Sequence, residues 1–96
     1  MTMVSKSGPA DQISGEDVRR TIGEIWRQVL RVEKLGDRDN FFELGGHSLT
    51  ASQIISRIER TLHVEVPMGE FFERPTVEQL TEFVLRYLGH EGSAQA

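Results

Sequence analysis

The chain has 96 residues, 38% hydrophobic and 27% charged, with eleven Lys and Arg against fifteen Asp and Glu for a formal charge of −4. That size admits one small core without a deep active site, the composition excludes a largely disordered chain, and the acidic balance excludes nonspecific attraction to nucleic acid as its main activity. No cysteine is present, so disulfides, zinc thiolate sites and cysteine nucleophiles are excluded, and thiol chemistry would need a sulfur supplied from outside.

Residues 1–13, rich in Ser, Gly, Pro and Lys, read as a flexible tail, and they lack the apolar stretch of a signal peptide. No apolar run approaches the length of a bilayer span, so a cytoplasmic location away from membranes is expected. The folded unit is expected over residues 14–88. Ser14 followed by Asp17 resembles a capping box with Asp in place of Glu, and it opens a helix with Val18, Ile22, Ile25, Trp26 and Val29 on one arc. Arg20, Glu24, Arg27 and Arg31 fall opposite. Gly36 then breaks the pattern, and a long connection runs to Gly46.

Helical spacing resumes at Ser48, with Ala51, Ile54, Ile55, Ile58 and Leu62 on one face and Gln53, Ser56, Arg57 and Arg60 on the other. This predicts a second amphipathic helix with Ser48 as its N-cap. "HVEVP" alternates like a strand but has no partner strand, so it reads as a linker. "MGEFFERP" reads as a short helical turn closed by Pro75. Thr76 and Gln79 form another capping-box pattern, opening a helix with Val77, Leu80, Phe83, Val84 and Tyr87 on its apolar arc. Residues 89–96 read as a second flexible tail. The predicted fold is all-α, a four-helix bundle of three main amphipathic helices and a short one.

Within this regular pattern the stretch "DNFFELGGHSL", Asp39–Leu49, is irregular. A serine after two glycines is explained most simply as a helix cap after a turn. Three features point further. Two adjacent glycines, Gly45 and Gly46, open the backbone to close approach by another molecule. The start of the second helix offers unpaired amides and the positive end of the helix dipole, which suit a phosphate at Ser48. Leu49 points about 170° away from the buried face of its helix, which places it exposed beside the serine.

Enzyme chemistry fits poorly. Side chains of the neighbours His47 and Ser48 diverge at a turn, whereas an activated hydroxyl needs its base within hydrogen-bond reach. A nucleophile elbow would need glycine where Thr50 stands, and no Gly-Lys-Ser/Thr triplet of a phosphate-binding loop occurs. The three histidines, His47, His63 and His90, do not pair at metal-ligand spacing, so no metal site is expected.

Here a resemblance becomes specific. "DNFFELGGHSL", together with "IWRQVL", "IISRIERTL", "FFERPTVEQL" and Tyr87, resembles the peptidyl carrier proteins, the thiolation domains of nonribosomal peptide synthetases, within the acyl-carrier-protein-like superfamily. His47 stands where fatty-acid-type carriers usually have Asp, which favours the peptidyl branch. The resemblance implies an acyl-carrier-like four-helix fold and a non-catalytic role. Ser48 would receive 4′-phosphopantetheine from coenzyme A through a phosphopantetheinyl transferase. The arm would hold an amino or aryl acid or a peptide as a thioester during antibiotic or other secondary-metabolite biosynthesis.

Implied partners are the transferase, an adenylation domain, a condensation or other downstream synthetase domain, and a thioesterase as a further candidate; a monomer is expected. Carried over by position, cofactor contacts fall on Ser48, Gly46 and His47, and partner contacts on Leu49, Met68, Phe71, Phe72 and Arg57. A core role competes for the two phenylalanines. Phe41, Phe42 and Leu44 are assigned mainly to the core, pinning the loop. Arg57 and Arg60 could steer an acidic partner surface or simply form a solvated helix face. The rival from another class is an unmodified helical adaptor in which Ser48 is only a cap.

Overall fold

The computed structural model describes residues 14–89, and the expected tails at 1–13 and 90–96 lie outside the described residues. Gly89, assigned by sequence to the second tail, is described: at φ 84° it closes the last helix by donating its N–H to Arg86 O. Among the described residues four helices follow one another, α1 Gly15–Leu30, α2 Ser48–Leu62, α3 Met68–Glu73 and α4 Val77–Tyr87. Helix α1 packs against α2 and α4, and α3 packs on α2. The all-α expectation holds, and no helix among the described residues is long and apolar enough to cross a membrane.

Each main stripe finds its partner. Val18, Ile22, Ile25 and Trp26 from α1, Ala51, Ile54, Ile58 and Leu62 from α2, and Val77, Leu80 and Val84 from α4 form one buried cluster. Such burial contributes about 1.5–3 kcal/mol for each large aliphatic or aromatic side chain. The α1 start follows the sequence pattern, with Ser14 Oγ accepting from Asp17 N at 3.0 Å. The Ser14 hydroxyl, then the Arg20 guanidinium, hold the Asp17 carboxyl below the usual carboxylate range. Thr76 caps α4 in the same way, accepting from Gln79 N at 3.1 Å. The "HVEVP" linker is not a strand, yet its alternation has a consequence: Val64 and Val66 are buried while His63 and Glu65 face out.

Two expectations need correction. Tyr87, placed on the apolar arc of α4, is 57% exposed, because it falls in the last turn, beyond the end of the stripe that reaches the core. And α1 does not run on towards Gly36 but stops at Leu30, with Arg31 in the left-handed region at φ 60° and its N–H on Arg27 O. Helix α2 ends identically on His63, φ 61°, whose N–H meets Glu59 O at 2.9 Å. A left-handed residue with a Cβ costs roughly 1–2 kcal/mol, which glycine avoids at some cost in chain entropy. His63→Gly should therefore raise stability by about 0.5–1 kcal/mol in urea unfolding.

Candidate functional site

Seventeen residues separate Leu30 from Ser48, and the structure shows how so long a segment is held still. Asp39 folds back on Gly36, its carboxylate accepting from Gly36 N at 2.8 Å. Asn40 Oδ1 accepts from Phe42 N at 2.8 Å and Glu43 N at 3.3 Å, capping the turn that follows. Asp37 O accepts from Glu78 N at 3.0 Å, and Arg38 pairs with Glu78 at 3.1 Å, which ties the segment to the start of α4.

The centre of the arrangement is Phe41. Its N–H donates to Pro75 O at 2.7 Å, and its carbonyl accepts from Leu44 N at 3.2 Å and Gly46 N at 3.0 Å. Its ring, fully buried, meets Trp26 edge-on at 5.5 Å and Phe71 at 4.9 Å between centroids. Aromatic pairs in this geometry contribute about 0.5–1.5 kcal/mol each beyond area burial.

The two glycines have separate causes. Gly45 lies at φ 93° with open space around it, so its backbone conformation is what excludes a side chain. Gly46 has no such dihedral; a Cβ there would sit 2.4 Å from Phe41 Cζ. Beside the expected room for another molecule, the structure gives Gly45 a turn and Gly46 a packing contact as causes of their own.

Helix α2 then begins one residue earlier than its predicted cap implies. His47, extended at φ −154°, is the N-cap, and Ser48 is the first helical residue. Thr50 Oγ1 accepts from His47 N and donates to His47 O, both at 2.9 Å, and locks the turn. Thr50, three residues after the cap, occupies the second half of a capping box, a role the sequence reading missed because His-x-x-Thr is not the usual pattern. Ser48 is exposed, and its hydroxyl makes no hydrogen bond among the described residues. Ala51 N is the first amide of α2 to reach a backbone carbonyl, His47 O at 2.8 Å. The first turn of α2 holds no acidic residue, whereas α1 has Glu16 and Asp17, α3 has Glu70 and α4 has Glu78. The positive end of the α2 dipole is thus left uncompensated beside a free hydroxyl, an arrangement that fits a phosphate ester on Ser48.

Around this point the predicted contact residues separate. Leu49 is 62% exposed and Met68 38%, as expected of surface contacts. Phe71 is fully buried against Trp26 and Phe41 and cannot touch a partner. Phe72 is half-buried, with its ring 5.6 Å from that of Phe42. Phe42, assigned to the core by sequence, is instead 47% exposed, while Leu44 is partly buried against the core. Only one of two adjacent aromatics in the loop can follow the backbone into the core, and the Phe41–Pro75 bond selects Phe41. His47 is exposed, and Arg57 lies more than two turns down α2, away from the serine.

Comparison with known proteins gives a consistent result. Residues 20–84 match the model of a family described as a phosphopantetheine attachment site. The chain is 46% identical over 68 residues to gramicidin S synthase 2 of Brevibacillus brevis, a match covering 71% of this chain and 2% of that protein. It spans 1 to 2% of the length of the synthetases it matches. The solved structure of BlmI, a type-II acyl carrier protein of Streptomyces verticillus involved in bleomycin biosynthesis, superposes with a TM-score of 0.74 at 30% identity, covering 77% of this chain and 89% of that one. A peptidyl carrier protein solved in complex with the phosphopantetheine transferase Sfp and coenzyme A gives 0.70 at 32% identity, covering 88% and 99%.

Proposed function

The chain belongs to the phosphopantetheine attachment site family, among its peptidyl carriers, and from that premise we propose that Ser48 is the residue that receives the arm. One observation carries the assignment: an exposed serine hydroxyl without a hydrogen bond, at the start of a helix whose positive end has no acidic residue to offset it. When attached, 4′-phosphopantetheine supplies a terminal thiol on which an amino acid, aryl acid or peptide is held as a thioester.

The chain's own part is presentation. Phe41, Gly46 and Thr50 fix the turn so that the Ser48 hydroxyl projects from a rigid base, and a tethered group then meets successive enzymes at raised effective concentration. The amides at the start of α2 supply donors for the phosphate. His47 is a further candidate for phosphate contact, since its exposed side chain sits on the adjacent residue. No bond-making by the chain is needed beyond the serine oxygen, so the role is that of a non-catalytic carrier, in a cytoplasmic setting where the reactive sulfur comes with the cofactor.

The partners of this reading are a phosphopantetheinyl transferase, an adenylation domain and a downstream condensation or thioesterase domain. Leu49, Met68 and Phe72, with Phe42 added from the structure, form their apolar contacts. The test is incubation of the chain with coenzyme A, magnesium and a broad-specificity transferase. Intact mass should rise by one phosphopantetheinyl group, and peptide mapping should place it on Ser48. A well-folded chain that gains no mass would return the protein to the adaptor reading.

A further inference from the structure

Among the arginines of the described residues, Arg19, Arg20, Arg27, Arg38 and Arg74 each meet a carboxylate within 4 Å. Arg31, Arg57 and Arg60 meet none among the described residues, and these three line one open cleft of about 500 Å³ between the end of α1 and the outer face of α2. The remaining lining is uncharged: Gln28, Ser52, Gln53 and Ser56 are polar, and Val29 is apolar. Three guanidinium groups gathered without counter-charge, on a chain of net charge −4, are a local reversal of sign that favours an anionic partner.

Two details show that the cleft is organised. Arg57 Nη1 donates to Gln28 Oε1 at 3.2 Å, and Gln28 Nε2 donates to Glu24 Oε2 at 3.3 Å. Arg57 is thereby oriented by a neutral amide and not by a carboxylate. Arg31 occupies a left-handed backbone position, φ 60°, that glycine would fill with less strain. The chain keeps an arginine on the lining of the cleft at a conformational cost.

We propose that this cleft is a docking site for an acidic segment of a partner protein. Its arginines are spread from the C-cap of α1 along the outer face of α2, which suits carboxylates spaced along an extended segment better than one compact anion. The serine hydroxyls and Gln28 add hydrogen-bonding groups for the peptide backbone. Ser48, Ser52, Ser56 and Arg60 follow one another at four-residue steps on a single ridge of α2, which places Arg60 about 18 Å below the serine. A protein bound at the cleft therefore sits well down α2 from Ser48 and leaves it uncovered. Such docking goes beyond the carrier role and stands whether or not Ser48 is loaded.

The test uses the full chain and a short fluorescent peptide of alternating glutamate and serine, followed by polarisation. Saturable binding that weakens with salt is expected, with about tenfold loss in Arg57→Gln/Arg60→Gln and about threefold in Arg31→Gly. Arg31→Gly should at the same time melt higher than the parent, which separates lost binding from lost folding. Absence of binding, equal binding of a glutamine–serine peptide, unchanged affinity in the double variant, tighter binding of oligothymidylate, or full displacement by inorganic phosphate at the peptide's own concentration would each overturn the proposal.

Discussion

Gly46→Ala should lower the melting temperature by about 10–15 °C, a loss of about 2 kcal/mol for a domain of this size. The added methyl would lie 2.4–2.5 Å from Cζ, Cε1 and Cε2 of Phe41, well inside contact distance, so one of the two must move. A phenylalanine at the surface would swing away cheaply. Phe41 is held between Trp26 and Phe71, and its backbone is bonded to Pro75 and to Gly46 itself. Movement must therefore be shared by the core or by the turn that presents Ser48, and the rate of loading should fall with stability.

A double-mutant cycle identifies the cause. Phe41→Leu alone leaves a cavity and costs about 1–2 kcal/mol, but it also vacates the space the new methyl needs. The double variant should be close to Phe41→Leu alone, a coupling of about 2 kcal/mol measured by urea unfolding. Gly45→Ala supplies the contrast, since its roughly 1 kcal/mol arises from φ 93° and no trimming of Phe41 relieves it. Additive losses in the Gly46 and Phe41 pair would show that the contact is not what excludes a side chain there.

What the sequence made legible follows from which forces act locally. The three stripes and the Ser14 and Thr76 caps rest on periodicity and on contacts three residues apart, and both survive folding unchanged. The ends of α1 and α2 do not, because Arg31 and His63 take a left-handed conformation that nothing in their residue type announces. The adjacent pairs Phe41 with Phe42 and Phe71 with Phe72 are equal by hydropathy. Long-range contacts break that equality, sending Phe41 and Phe71 into the core and leaving Phe42 and Phe72 at the rim. The double glycine suggested one purpose from sequence, whereas the structure assigns a dihedral to the first and an aromatic neighbour to the second. The clustering of Arg31 with Arg57 and Arg60 joins two helices, so no local pattern could have shown it.

Ser48→Ala is expected to abolish loading completely while leaving stability within about 0.5 kcal/mol of the parent. The first half follows from chemistry: a methyl offers no oxygen to attack the pyrophosphate of coenzyme A. The second half follows from the one-residue shift of the helix start. Replacing a serine that caps a helix by alanine costs about 1 kcal/mol, because an amide loses its acceptor. Ser48 is not the cap, and its hydroxyl accepts from no amide among the described residues. Alanine within the first turn is at least as favourable to the helix as serine. Thr50→Ala should behave in the opposite sense, losing about 1 kcal/mol with the two 2.9 Å bonds to His47 while keeping the acceptor serine and hence full final loading. Urea unfolding and intact-mass measurement on both variants separate the two roles. A Ser48→Ala chain destabilised as much as Thr50→Ala would mean that the serine is structural, and the free hydroxyl would no longer argue for an attachment point.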